Sequence, residues 1–119
     1  MATHYSTEFF QGEKIPLRAV IKKGGVVQDI SDLTVANLRY RLGVEGNPNA
    51  IDLTLGDGIV LEGDGTDGAI LITLEDSTTA VLAAGYYLHQ LQIDDDGGLG
   101  VGIVFSGQVR VHFSLMEAA

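Results

Sequence analysis

The sequence contains no cysteine and no tryptophan, only two prolines, and seven basic residues against 16 acidic ones. Without cysteine there is neither a disulfide framework nor a thiolate metal site. The formal net charge of −9 repels phosphate, which argues against nucleic acid as a partner. The same field opposes an anionic membrane surface, so no membrane partner is expected. No run of about 18 apolar residues occurs, so no transmembrane helix is expected. The start Met1-Ala2-Thr3-His4-Tyr5-Ser6 has no basic cluster and no apolar run and does not read as a signal peptide. What is present is 45% apolar residues in a chain of 119, enough for one domain with its own core. The 16 glycines point to many tight turns.

Hydrophobicity alternates with the period of a strand rather than a helix. Ile15, Leu17, Ala19 and Ile21 share one parity, and Lys23-Gly24-Gly25 ends that run with a turn. Leu33–Val44 alternates in the same way, with Ala36, Leu38, Tyr40 and Leu42 on one face and Asn37, Arg39 and Arg41 on the other. Gly46-Asn47-Pro48-Asn49 predicts a turn. Further strands are expected at Ile51–Leu55, Ile59–Leu61, Ala69–Leu74, Tyr86–Asp94 and Ile103–Leu115. In the last of these, Ile103, Phe105, Val109, Val111 and Phe113 point inward. Matching apolar parities predicts that Ile93 pairs with Ile103, Leu91 with Phe105, His89 with Gly107, Tyr87 with Val109 and Gly85 with Val111.

One segment departs from this period. Asp76 suits an N-cap and Gly85 the position beyond a helix end. The residues between them span about 12 Å as a helix. Packed sheets lie about 10 Å apart, so this corner can carry the chain between layers, with Leu82 plugging the open end of the core. A tyrosine at such a corner caps it through a hydrogen bond to nearby backbone, and Tyr87 is the inward candidate. About seven short strands, turns every 8–12 residues and a single helical corner predict an all-β fold. The expected architecture is an immunoglobulin-like antiparallel β-sandwich over residues 13–116, with one short helix at the E–F corner. Residues 1–12 read as an N-terminal arm that orders on a partner, with Phe9 and Phe10 as anchors.

No pattern points to catalysis. Gly63-Asp64-Gly65-Thr66-Asp67-Gly68 matches G-x-G-x-x-G, but a strand follows it where a dinucleotide site needs a helix, and its carboxylates oppose phosphate. A hairpin loop is the better reading. The carboxylates of that loop, with Asp57, and the run Asp94-Asp95-Asp96 lack the spacing of an EF-hand. The predicted register puts His89 and His112 on opposite faces, so they share no metal. There is no G-x-S-x-G, no H-E-x-x-H and no cysteine nucleophile. No enzyme, cofactor or metal is therefore expected. Arg39 and Arg41 read as a solvated strand face able to meet acidic loops of a neighbouring copy.

Several segments together resemble the N-terminal immunoglobulin-like domain of phage baseplate upper proteins and small stand-alone phage virion proteins. They are Phe10-Gln11-Gly12-Glu13, Gln28-Asp29-Ile30-Ser31-Asp32-Leu33-Thr34 and Gly68 through Ser77. Ala84-Gly85-Tyr86-Tyr87, Leu91 through Gly97 and Gly107-Gln108-Val109-Arg110-Val111 complete the set. The resemblance spans roughly residues 8–115 and rests on turn and strand chemistry. It implies a non-enzymatic structural protein of the virion, made in the host cytoplasm and placed in the tail, baseplate, neck or capsid surface. Its implied partners are other virion proteins and further copies of itself. The competing class is a surface-binding or capsid-decoration module, carbohydrate-binding in one version.

Overall fold

The computed structural model describes residues 3–23, 25–34, 37–95 and 100–114. In chain order the first strands are β1 (Thr3–His4), β2 (Thr7–Phe10), β3 (Ile15–Val20), β4 (Lys22–Lys23) and β5 (Val26–Val27). There follow β6 (Leu38–Val44), β7 (Asn47–Leu55), β8 (Gly58–Leu61) and β9 (Ala69–Leu74). A single helical turn, α1 (Asp76–Thr79), precedes β10 (Gly85–Asp95) and β11 (Gly100–His112). The seven strands legible in the sequence are β3 and β6 to β11.

Hydrogen bonding links the strands in the order β1, β11, β10, β6, β7, β8, β9, β3, with β2 also on β11 and β4–β5 a separate ribbon. The antiparallel run β11–β10–β6–β7 makes one layer, and β8–β9–β3 makes the other. Between them the chain turns at Gly56-Asp57, where β7 and β8 meet over only two residue pairs. Alternation explains the closure. Leu17 faces Ile72 across β3–β9, and Tyr40 faces Leu91 across β6–β10. All four side chains are at most 2% exposed, and they belong to one cluster with Leu38, Leu42, Ile59, Ile70, Phe105 and Val109. The fold is a β-sandwich around one apolar core.

Local details correct the sequence expectations. The strand expected from Leu33 starts at Leu38, because Asn37 closes a turn in which Thr34 N–H and Oγ1–H both donate to Asn37 Oδ1. Ala36 lies outside the described residues. The turn expected at residues 46–49 is instead Glu45-Gly46, and Asn47 already pairs with Val44. The predicted β10–β11 pairs hold from Gly85 to Leu91. A bulge then intervenes, so Ile93 faces Gly102 rather than Ile103, and the extra residue Val104 packs partly on the core. Phe113 is not inward: β11 ends at His112, and the Phe113 ring is 65% exposed.

The expected eight-residue helix is a single turn. Glu75, not Asp76, occupies the N-cap, and Asp76 Oδ1 accepts only from its neighbour Ser77 N–H. Weak helix formers (Asp, Ser and two threonines) and a Thr79 hydroxyl turned to the Glu13 carbonyl stop propagation. Leu82 lies in the core, and its carbonyl accepts from Gln11 Nε2–H at 2.8 Å. Gly85 opens β10 at φ 146°. The Tyr87 hydroxyl donates to the Ala83 carbonyl at 2.6 Å, tying the strand back to the corner.

Residues 3–10 are not a free arm. They add two short parallel strands to the outer edge of β11, and Phe9, opposite Val111, is only 3% exposed. The reason is apolar burial: the Phe9 ring finds its pocket within its own chain. Phe9 is therefore unavailable as an anchor on a partner.

Candidate interaction face and the buried histidine

The outer face of β11–β10–β6–β7 carries Arg110 and Gln108 on β11, Tyr86, Leu88, Gln90 and Gln92 on β10, Arg39 and Arg41 on β6, and Asp52 on β7. Three of the seven basic residues of this acidic chain thus share one face. Arg39 grips Asp52 with two parallel bonds, Nε–H to Oδ1 at 2.8 Å and Nη2–H to Oδ2. That bond, helped by the charge of Arg41, holds the Asp52 carboxyl below its ordinary range. The guanidinium of Arg110 sits 5.4 Å from the centre of the Tyr86 ring.

Beside this network the sheet has a hollow. Gly43 stands opposite Leu88 and puts no side chain on the face. The result is an open groove of about 330 Å³ lined by Arg41, Gly43, Val44, Glu45, Leu88 and Gln90. Leu88 is 66% exposed at its lip, and Val44 is 39% exposed. Arg41 is half-buried, and its Nε is fully covered without a hydrogen-bond partner. Sequence reading reached Arg39 and Arg41 but missed Leu88, Gly43 and Glu45. The signal was present: Leu88 interrupts the otherwise polar or amphipathic outward parity of Tyr86, Gln90 and Gln92.

Phe10 lies elsewhere. It is 52% exposed at the β2 edge, its ring 5.1 Å from that of His112, which in turn approaches Glu8 at 3.4 Å. Phe10 is opposite His112, whereas Arg39 is across β10 from the far end of β11. The proposed anchors therefore do not form one site.

On the inner face, His89 is 1% exposed. Its Nε2 lies 2.6 Å from the Tyr5 carbonyl, which can only accept, so Nε2 carries the proton. Nδ1 of the neutral ring is then the acceptor for the Tyr40 hydroxyl at 2.9 Å. Burial lowers the His89 pKa, partly opposed by the Tyr5 bond, with a small added push from His4. Burial likewise raises that of Tyr40. The rings of Tyr5, Tyr40 and Phe105 surround the imidazole at 5.1–5.7 Å. The space over Gly107, the strand partner of His89, is taken by the N-terminal segment. A Cβ at Gly107 would lie 2.0 Å from the Tyr5 oxygen. His89 thus fastens residues 3–10 to the core.

The glycine-aspartate loop is the β8–β9 hairpin connection. Asp64 Oδ1 accepts from both Thr66 N–H and Thr66 Oγ1–H, which lowers its pKa. Gly68 is at φ 70°, and a Cβ there would lie 2.7 Å from the Gln28 carbonyl, so the loop is locked against the 28–31 turn. Among the described residues no three His, Asp or Glu side chains converge on a common metal position. Asp96 lies outside the described residues. No described helix is long and apolar enough to cross a membrane.

No family model and no curated protein matches the chain. Among solved structures, a chicken TCR superposes with a TM-score of 0.53 at 10% identity, over 93% of this chain and 54% of that one. The chain has an immunoglobulin-like fold. Listeria monocytogenes InlP aligns at a TM-score of 0.47 and 10% identity, over 93% of this chain and 28% of its own. The chain thus spans about half the length of the TCR chain it matches.

Proposed function

We propose that this protein is a non-enzymatic structural component of a phage virion, made in the host cytoplasm, which assembles with other particle proteins and with its own copies. The observation that carries the assembly reading is the exposed Leu88 beside the Arg41–Glu45 groove, on a four-stranded face. A leucine left two-thirds exposed in the middle of a strand gains by being covered, and a rim of arginines and glutamine supplies directional contacts. The phage assignment rests on the sequence resemblance. Placement in tail, baseplate, neck or capsid surface follows from the same source.

Quantitative mass spectrometry of gradient-purified particles from cells that produce this chain tests the reading. The expected result is the chain at a fixed ratio to the other virion proteins. Its absence from particles would overturn the assignment. A carbohydrate-binding decoration module has one supporting feature, the Tyr86 ring, 58% exposed and flanked by Arg110. A glycan-array signal lost in a Tyr86→Ala variant would favour it over assembly.

A further inference from the structure

We infer that the Arg41–Leu88 groove is a self-pairing surface, whose occupant is the same groove of a second copy related by a two-fold axis. This deepens the assembly reading by naming the partner. Three observations converge on it. First, the groove presents opposite charges that have not met. Glu45 and Arg41, both among the described residues, line it without an ion pair between them. Second, the signs select the occupant. A purely acidic segment would meet Glu45, and a purely basic one would meet Arg41. A surface that offers both signs in the same spacing satisfies both, and an identical groove turned through 180° does so. Third, Leu88 and Val44 give the pair an apolar centre, with the Arg39–Asp52 pair already satisfied alongside. The four strands, at about 4.8 Å spacing and about 3.3 Å rise, present a face on the order of 600 Å² in projection. That is close to the roughly 800 Å² a side of a standard interface. In the pair, Arg41 of each copy bonds Glu45 of the other, and the two Leu88 side chains meet near the axis.

Sedimentation equilibrium of the full chain, from about 10 μM to about 1 mM in roughly 0.15 M salt, tests this. The wild type is expected to reach twice its monomer mass of 12.6 kDa. Arg41→Glu and Glu45→Arg each place like charges across the axis twice and are expected to weaken association about tenfold or more. The double variant R41E/E45R restores the opposition and is expected to recover to within about threefold of wild type. All three variants are checked for an unchanged β-type circular-dichroism spectrum. A wild type that stays monomeric at about 1 mM overturns the inference, as does a double variant no better than the singles. So does Arg41→Glu that lowers incorporation into particles while the wild type remains monomeric, since the groove then receives a different protein. The sedimentation results do not depend on whether the chain is found in particles, which decides the virion reading separately.

Discussion

Gly107→Ala perturbs the point where the N-terminal segment crosses the sheet. The new Cβ would sit 2.0 Å from the Tyr5 oxygen and 2.5 Å from its carbonyl carbon. Both are backbone atoms, so no side-chain rotation relieves the clash. β11 is held along its other side by pairing with β10 from Gly85 to Asp95, whereas β1 and β2 pair with β11 alone. The N-terminal segment is therefore the part that gives way. Its departure exposes Phe9, at a loss of about 2–3 kcal/mol. It also breaks the Tyr5–His89 bond, worth about 1 kcal/mol. Freed chain entropy offsets part of this, leaving a net destabilisation of about 2–3 kcal/mol. Urea unfolding at pH 7 measures the loss. Hydrogen exchange locates it, with faster exchange expected in residues 3–10 and in the β11 amides that face them. A variant within about 0.5 kcal/mol of wild type, with residues 3–10 still protected, would refute the reasoning.

Two further outcomes follow from the same packing. Because burial lowers the His89 pKa, the unfolded chain takes up a proton near pH 6.5 while the folded chain resists it. Stability is thus complete above that pH and falls as pH drops, by up to about 1.4 kcal/mol per unit until the folded ring protonates. The lowered carboxyls of Asp29, Asp52 and Asp64 lose their stabilisation at more acidic pH. Urea midpoints between about pH 7.5 and 5 therefore report His89, and a His89→Gln variant should flatten the curve; an unchanged slope would contradict the assignment. Tyr87→Phe removes the donor to the Ala83 carbonyl and should cost about 1–2 kcal/mol, and a neutral result would show that the corner bond is replaced by water.

Most of the fold was legible because one face of each strand is buried, which forces a period of two. Leu38, Tyr40 and Leu42, or Ile70, Ile72 and Leu74, can close only one way on a core. The β10–β11 register was readable for the same reason, up to the bulge at Leu91, where Val104 adds a residue that alternation cannot announce. The N-terminal strands were not legible. Thr7–Phe10 is short and half polar, and its partner lies a hundred residues away in a parallel pairing that no local turn encodes. The helical corner was over-read because Asp76 and Gly85 supply end signals, while between them the Thr79 hydroxyl donates to the Glu13 carbonyl and to the Asp76 carbonyl of its own turn. Of the face, the arginines stood out as charges. The groove depends on Gly43 lying across from Leu88, a relation between strands rather than within one.

In the proposed assembly role, the chain joins a particle through the outer face of β10 and β6. Leu88→Asp removes the exposed apolar centre without touching the core, since the side chain is already 66% in solvent. Co-expression of tagged Leu88→Asp and wild-type chains, followed by their ratio in purified particles, measures the effect directly. The variant is expected to be depleted about tenfold relative to its share in the lysate. Equal incorporation of a normally folded Leu88→Asp chain would contradict the account.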